Sequence, residues 1–557
     1  MSAYLLQTIP RESFGTNHSG LDARTDTDSI PDKVYVLNQR RSQALREIDG
    51  ANFLWLFHTK VVLIAGVGFF TDAYDLFAIT QASIMLAQAY PQQNQGASTN
   101  TSAFSMGKDL SLKVIAQIGT FFGALIFGWL ADTRGRKRMY GIELILIIIG
   151  TFGQAISNDG ENVSIIGALI FWRFIMGLGI GGDYPSSAIL ASEFAPVRIR
   201  GRLMTAVIAS QGWGQFSAAV VAMVTISRIT NDTAKAADLM WRILIGAGCI
   251  PGLLALFSRF TIPETPRFTM DIERDIDKAK SDIDNFLQTA TFVIDPDADV
   301  KRVCAPKASW DDFREYFGKF ENLRVLIGCS LCWFSLDLAF YGLALNAPFT
   351  TKAIFRSDPT DMPYQRLWNA ARANIIVTAA SLIPGFYLCF LFIDFWGRKR
   401  IQAMGFTAAA VLLIVLGAIC RDPLDGNRLT AMIVLYCILY LFFNFGPNTT
   451  TFIIPAEFFP TRYRSTAHGI ATASGKLGAI VAQIVYGLTV EKQTKDEVDA
   501  RNLRIMFFVC AAFSLIGVLA TYTLIDREPR GKSLEDLSNE DQDNFITAPH
   551  TAYSGFR

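Results

Sequence analysis

The chain has 557 residues, of which 51% are hydrophobic and only 18% are charged. Soluble domains carry about 25% charged residues, so this composition predicts a membrane protein rather than a soluble domain. The formal net charge of +1 gives no reason to expect nucleic acid as a partner.

The chain begins with a polar region, residues 1–60, that lacks the apolar core of a cleavable signal and is predicted to be a cytoplasmic tail. Twelve apolar segments of membrane-spanning length follow. They lie near 61–89, 111–131, 139–157, 163–188, 203–227, 241–261, 323–348, 372–394, 401–420, 430–454, 466–490 and 503–526. A charged stretch at 262–322 predicts a cytoplasmic linker between two bundles, 61–261 and 323–526, and residues 527–557 form a second polar tail.

The orientation follows from the basic residues beside the predicted helix ends. Arginine and lysine are concentrated in short loops such as Arg134–Arg138 and Arg398–Arg400. The positive-inside rule therefore predicts that both termini are cytoplasmic. The glycosylation sequons at Asn100 and Asn231 fall in predicted outer loops, which agrees with a plasma-membrane protein of this orientation.

The two halves of the sequence repeat each other. DTRGRKR recurs as DFWGRKR, with Gly135 and Gly397 262 positions apart. EFAPVRIRGR recurs as EFFPTRYRST, with Arg198 and Arg462 264 positions apart, and Asp75 and Asp337 are again 262 apart. Duplicated halves around a central site are the architecture of secondary transporters.

The predicted spans contain few ionisable residues, and such residues inside a membrane are a functional hypothesis by default. They are Asp72, Asp75, Glu143, Arg173, Asp183, Asp337 and Lys476. An apolar environment favours the protonated form of a carboxyl group, so these acids can hold and release protons. Lys476 supplies a fixed positive charge that attracts an anion, and a neutral solute would not need it. The set indicates a proton-coupled anion carrier.

Several motifs resemble those of the major facilitator superfamily, namely RGRKR at 134–138, PETPR at 263–267 and EPRGKSLEDLS at 528–538. GGDYPSSAILASE, at 181–193, is similar to the signature of the phosphate:proton symporters of fungi and plants. The resemblance implies an all-α integral membrane protein with twelve transmembrane helices in two pseudo-symmetric six-helix bundles. It also implies import of inorganic phosphate with protons by alternating access, with phosphate, protons and the lipid bilayer as partners.

The resemblance further assigns roles to individual residues. The implied substrate-binding residues are Tyr184, Gln211, Trp333, Asp337, Tyr341 and Asn448. The implied proton-coupling residues are Asp72, Asp75, Glu143 and Asp183, with Lys476 balancing the charge of Asp337. Independently of any family, Trp333, Asp337 and Tyr341 follow the spacing i, i+4, i+8 and share one helix face. We expect Arg173 to pair with Asp75, and we leave open a purely structural role for Asp183 and a helix-start role for Asp72.

Charged residues at the predicted cytoplasmic helix ends form another candidate group. We interpret them as ion pairs that keep the inner side closed while the outer side is open. The group consists of Asp132, Arg136, Glu193, Arg198, Arg398, Glu457 and Arg462.

Other functions remain possible on the sequence alone. One is a carrier of an organic phosphate such as a glycerophosphodiester, another is a sugar:proton symporter, and a third is a phosphate-sensing receptor that signals through its tails and linker. Only Cys329 and Cys332 have the spacing of a metal-ligand pair, and we interpret both as packing residues. We therefore expect no enzymatic activity, cofactor or metal, and the oligomeric state is left open.

Overall fold

The computed structural model describes residues 49, 55–91, 106–160, 162–229, 233–260, 264–269, 308–345, 363–420, 426–490 and 500–539. Most of the predicted tails and central linker, and both sequons, lie outside these residues. All regular structure in the described residues is helical.

In the residues that the structure describes, the first half contains eight helices. They are α1 (Trp55–Ala89), α2 (Met106–Arg134), α3 (Arg136–Ile156), α4 (Ile165–Phe194), α5 (Arg200–Arg228), α6 (Ala234–Gly246), α7 (Cys249–Phe260) and the short α8 (Pro266–Phe268). Helices α6 and α7 follow each other as one membrane-length segment, Ala234–Phe260. We therefore number spans 1 to 5 as α1 to α5, and span 6 as α6 with α7.

The second half begins at a surface helix and contains ten helices in the described residues. They are α9 (Trp310–Gly318), α10 (Phe320–Ala344), α11 (Pro363–Val377), α12 (Ile383–Trp396), α13 (Arg398–Ile419), α14 (Gly426–Asn444), α15 (Pro447–Phe458), α16 (Arg464–Val490), α17 (Ala500–Thr523) and α18 (Leu534–Leu537). A π-helical turn, Thr378–Leu382, joins α11 to α12. Span 7 is α10, span 8 is α11 with α12, span 9 is α13, span 10 is α14 with α15, span 11 is α16 and span 12 is α17.

Eleven of these spans are long and apolar enough to cross a membrane by length and composition. Span 11 is the twelfth, with 27 residues, and its polar residues such as Lys476 and Gln483 lower its hydropathy. The expected all-α fold of twelve spans is confirmed. Large apolar side chains such as Phe257 (80% exposed) and Leu254 (72% exposed) lie on the outer surface, where lipid replaces water as the solvent.

The internal repeat is visible in the backbone. Gly135 and Gly397 both have a positive φ, 101° and 94°, at the tight turns after spans 2 and 8. Only glycine adopts this conformation without strain, which explains why it recurs at both places. The halves pack against each other mainly where span 2 lies along span 11 and where span 5 lies along span 8.

Candidate functional site

A buried charge pair lies where the two halves meet. Lys476 of span 11 donates from Nζ to Asp337 Oδ2 of span 7 at 3.0 Å and to the Tyr341 hydroxyl at 3.3 Å. The same ammonium lies 4.8 Å from the ring centre of Tyr184, which span 4 contributes from the first half. The Trp333 ring packs edge-on against Tyr184 at 6.1 Å. We call these five residues the seam cluster.

Aromatic side chains enclose the seam cluster. Phe69 of span 1 packs edge-on against Tyr184 at 5.1 Å and against Phe452 of span 10 at 5.0 Å. His468 of span 11 packs edge-on against Trp333 at 5.4 Å. Asp337 is only 2% exposed, so its pair with Lys476 is shielded from solvent. A charge pair in such low-dielectric surroundings acts strongly on any anion that enters.

The structure brings together four of the six implied substrate residues, namely Tyr184, Trp333, Asp337 and Tyr341. The other two, Gln211 and Asn448, are buried and have no described hydrogen bond or ring contact with the seam cluster. Asn448 donates to Asn444 Oδ1 at 2.7 Å, and Gln211 Oε1 has no hydrogen-bond donor among the described residues. An unpartnered buried amide oxygen is unusual, and it leaves Gln211 with an acceptor that no described residue satisfies.

A second group of charges lies wholly within the first half. Asp183 Oδ2 of span 4 accepts from Arg259 Nη2 of span 6 at 2.9 Å, and both side chains are fully buried. The Asp72 carboxyl of span 1 is close enough to that of Asp183 for the two charges to interact. Glu143 Oε1 of span 3 accepts from the Ser186 hydroxyl at 2.8 Å. We call Asp72, Glu143, Asp183 and Arg259 the acid cluster.

Arg259 was not singled out in the sequence. It lies one residue before the end of span 6, where arginine commonly flanks a membrane helix. The structure turns it inward, with its guanidinium 3.8 Å from the ring centre of Tyr140 and Nη1 donating to the Tyr140 carbonyl at 3.0 Å. The sequence signal for Arg259 is an ionisable residue in an apolar run. Because it lies at the end of the run, the same signal also fits an arginine that flanks a membrane helix.

The expected partners Arg173 and Asp75 lie close enough for their charges to interact, but they do not form a direct ion pair in the described structure. Arg173 donates from Nε to the Leu112 carbonyl at 2.7 Å and from Nη1 to Gln154 Oε1 at 3.2 Å. Asp75 Oδ2 instead accepts from the Thr151 hydroxyl. The Leu112 carbonyl and the Gln154 amide oxygen accept the hydrogen bonds of the Arg173 guanidinium. Both acceptors are uncharged, so the pattern of charged residues in the sequence could not predict them.

Three of the seven expected charged residues at the helix ends, Asp132, Arg136 and Glu193, make contacts across the seam. Asp132 of span 2 accepts from the backbone amide of Thr466, the first turn of span 11, at 2.7 Å. Glu193 of span 4 pairs with Arg464 at 2.8 Å and with Arg136 at 3.5 Å. We call this region the charged end of the bundle.

The second half repeats this arrangement. Arg398 pairs with Glu457 at 2.9 Å and with Asp394 at 3.0 Å. Asp394 of span 8 accepts from the backbone amides of Gly201 and Arg202, at the start of span 5, at 3.1 and 2.9 Å. Carboxylates at helix N-termini are favoured because they satisfy free amides and complement the helix dipole.

Two expected members of this group are placed differently. Arg198 is exposed and makes no ion pair with a described residue, whereas Arg200, two residues later, pairs with Asp49 at 2.9 Å. Arg462 pairs with Asp312 at 2.6 Å, near the start of the second half, rather than across the seam. The sequence repeat correctly predicted which segments carry the buried arginines. It did not predict which arginine of each segment is most deeply buried, because that depends on the local backbone orientation.

The short helix α18 is attached to the charged end by Glu535. Its carboxylate accepts from Arg267 Nε at 2.8 Å, and Arg267 also pairs with Asp49 at 2.9 Å. Burial opposes ionisation of Glu535, but the charge and hydrogen bond of Arg267 and the charge of Arg464 outweigh it and lower its pKa to about 2. The carboxylate is therefore ionised at any physiological pH.

The part of the chain that the structure describes holds no group of three or more His, Cys, Asp or Glu side chains arranged as metal ligands. In the acid cluster the guanidinium of Arg259 supplies the positive charge.

Comparison with known proteins places these features in a family. The family model for sugar (and other) transporters matches residues 61–540. A repressible high-affinity phosphate permease of Neurospora crassa is 40% identical over 559 residues, which cover 96% of this chain and 94% of the relative. The inorganic phosphate transporter PHO84 of Saccharomyces cerevisiae is 37% identical, with 90% of this chain and 87% of the relative covered.

A solved structure of the proton:xylose symporter XylE from E. coli has the same fold, with a TM-score of 0.68 at 20% identity over 86% of this chain and 98% of XylE. The chain belongs to the sugar (and other) transporter family and has the fold of the major facilitator superfamily. It is a multi-span membrane transporter rather than an enzyme.

Proposed function

We propose that this protein imports inorganic phosphate together with protons across the plasma membrane, with both termini and the charged end on the cytoplasmic side. The observation that carries the proposal is the Lys476–Asp337 pair, buried at the seam and surrounded by Tyr184, Trp333 and Tyr341. The names of the Neurospora and yeast relatives support phosphate as the anion.

The seam cluster suits a small tetrahedral anion. Phosphate oxygens accept hydrogen bonds, and the ammonium of Lys476, the phenols and the indole all donate them. Asp337 repels the anion while it is ionised and donates to it once protonated. A proton on Asp337 therefore favours phosphate binding, which links the two solutes at one site.

The acid cluster provides a second place for protons. It holds three carboxyl groups and one guanidinium in a fully buried region. A buried carboxylate without a countercharge is expensive, so the cluster retains protons when it is closed to water. Asp75, with one oxygen bonded to Thr151 and the other without a donor among the described residues, is a further candidate on the same span as Asp72.

The charged end acts as the inner gate. Its cross-seam contacts, Glu193–Arg464 and the caps formed by Asp132 and Asp394, must break for the cytoplasmic side to open. Rocking of the two halves about the seam then exposes the site to each side in turn.

Labelled phosphate uptake into proteoliposomes tests the proposal, at about pH 5 and about pH 8 outside, with and without a protonophore. We expect faster uptake at acid pH, loss of accumulation with the protonophore, and loss of uptake in Asp337→Asn. Uptake of a glycerophosphodiester or a sugar in place of phosphate would contradict the substrate assignment. Phosphate uptake that ignores both pH and protonophore would contradict the proton coupling.

A further inference from the structure

The acid cluster contains more acids than bases. We propose that Arg259 is a positioning residue that holds Asp183 ionised, so that the mobile proton of the cluster is carried by Asp72 and not by Asp183. This inference rests on the proposed proton coupling and assigns the roles within it.

The contacts of Asp183 are those of an ionised group. Its Oδ2 receives Arg259 Nη2 at 2.9 Å, and its Oδ1 receives the Ser187 hydroxyl at 3.0 Å. Arg259 is itself fixed by the ring and carbonyl of Tyr140. A charge-assisted pair with an additional donor is the arrangement in which a carboxylate is best kept ionised inside a protein.

Asp72 has the opposite environment. It is 1% exposed, and neither of its oxygens has a hydrogen-bond donor among the described residues. Its carboxyl is close enough to that of Asp183 for the two charges to interact, and a Cβ at Gly68, one turn earlier in span 1, would collide with Asp183 Oδ2. Two neighbouring carboxyl groups cannot both ionise cheaply, and a proton on Asp72 removes the repulsion. The single guanidinium is already engaged, so the proton resides on Asp72.

The remaining neighbours do not supply a second countercharge. Span 3 contributes Tyr140 and Glu143, and Glu143 Oε2 also lacks a donor among the described residues. Span 4 contributes the Ser186 and Ser187 hydroxyls, while its Arg173 donates to Leu112 and Gln154. Span 1 adds Asp75, one turn beyond Asp72, which is a further acid.

Span 1 has a glycine where the Arg259–Asp183 pair lies against it. A Cβ built at Gly68, one turn before Asp72, would collide with Arg259 Nη2 and with Asp183 Oδ2. The absence of a side chain at Gly68 therefore lets the guanidinium lie between spans 1, 4 and 6, within the reach of both aspartates. Removal of Asp183 alone would leave Arg259 free to pair with Asp72 and to trap it without its proton.

The decisive experiment compares three variants in proteoliposomes: Asp183→Asn, Arg259→Gln and the charge-neutral double variant. We expect each single variant to lose proton-driven phosphate uptake by at least about 100-fold. Arg259→Gln leaves the Asp183 carboxylate buried without a countercharge, and Asp183→Asn frees Arg259 to pair with Asp72 and to hold it ionised. We expect the double variant to recover to within about tenfold of wild type and to keep the acid stimulation of uptake. Arg259→Lys, which keeps the charge, should lose less than Arg259→Gln.

A double variant that exchanges labelled for unlabelled phosphate but shows no proton-driven uptake would identify Asp183 as the proton carrier and overturn the proposal. A double variant that folds but does not exchange phosphate would also overturn the proposal, because Asp183 and Arg259 would then have a role in transport beyond balancing each other's charge. As a second test, Asp72→Asn should retain exchange while losing proton-driven uptake and its acid stimulation. Proton-driven uptake by Asp72→Asn would equally overturn the assignment.

A stability measurement separates this inference from the proposed function. If the pair is an ion pair, the unfolding temperature should fall more in Arg259→Gln, which strands the Asp183 carboxylate, than in the double variant. That result does not require transport. If the wild-type protein transports phosphate without protons, the proposed coupling is wrong, and the role given to Asp72 is wrong with it. The stability measurements still test the ion pair between Asp183 and Arg259 in that case.

Discussion

The two halves of the molecule share a backbone plan but not their charges. The repeat offset is 262 residues in spans 1 to 3 and 264 from the end of span 4 onward. In the second half, the positions equivalent to Asp72, Glu143, Asp183 and Arg259 are occupied by Phe334, Gly405, Pro447 and Thr523. Every ionisable member of the acid cluster is thus replaced by an uncharged residue, although the surrounding helices are kept.

The seam cluster shows the reverse asymmetry. Lys476 corresponds to Gly212 in the first half, while Asp337 corresponds to Asp75. The positive charge for the anion therefore belongs to the second half, and the surplus of acids belongs to the first. Tyr184 connects them, since it follows Asp183 in span 4 and its ring lies against Lys476. Under the proposed function, coupling between protons and phosphate would cross the seam at this tyrosine.

The largest expected effect comes from removing the charge of the second half. Lys476→Met leaves Asp337 buried and unpaired, which costs about 3–5 kcal/mol. We expect phosphate uptake to fall by at least about 100-fold, and binding with it. The double variant Lys476→Met with Asp337→Asn should regain stability but not phosphate binding. Phosphate binding by Lys476→Met at wild-type affinity, measured by calorimetry, would show that the seam cluster is not the anion site.

The next test disturbs the acid cluster without changing a charge. Gly68→Ala inserts a methyl group into the Arg259–Asp183 pair and should destabilise the protein by about 1–3 kcal/mol through overpacking. Proton-driven uptake should fall further than phosphate binding, because the seam cluster is left intact. Gly107→Ala is the matched control, since a Cβ at Gly107 meets nothing within 4 Å. Equal losses of proton-driven uptake in Gly68→Ala and Gly107→Ala would mean that the acid cluster tolerates displacement of the Arg259–Asp183 pair.

The charged end differs from both clusters because the duplication has kept it. Asp132 and Asp394 are 262 positions apart, and each caps the first turn of a span in the other half. Loss of a helix cap costs about 1 kcal/mol, so Asp132→Ala and Asp394→Ala should each shift the equilibrium about fivefold toward the inward-open state. Distances between spin labels at Arg198→Cys and Arg400→Cys measure that shift. A large shift in only one variant would show that the two caps are not equivalent.

The sequence predicted the spans and the repeat because these depend on hydropathy and spacing, and the resemblance to the symporter family implied the proximity of Asp337 and Lys476. It did not predict the partners of buried charges. Arg259 and Arg173 are both arginines near apolar runs, yet one pairs with an aspartate and the other with a carbonyl and an amide. Similarly, Arg198 points outward and Arg200 inward, although both belong to the same repeated motif. The partner of a buried arginine depends on the direction in which its side chain points and on which acceptor lies within hydrogen-bond distance. Neither can be obtained from one sequence.

The smallest expected effect concerns α18, which joins the charged end from outside the repeat of membrane spans. Glu535→Gln should destabilise the protein by about 1 kcal/mol near neutral pH, because Arg267 keeps Asp49 as a second partner. The pKa of Glu535 is lowered to about 2 in the folded protein, so its contribution is complete above its ordinary range near pH 4 and is lost as the pH falls toward 2. The difference in unfolding temperature between wild type and Glu535→Gln should therefore shrink on acidification. Asp536→Asn, on the exposed face of the same helix, should show no such trend, and a difference that grows at acid pH would contradict the ion pair with Arg267.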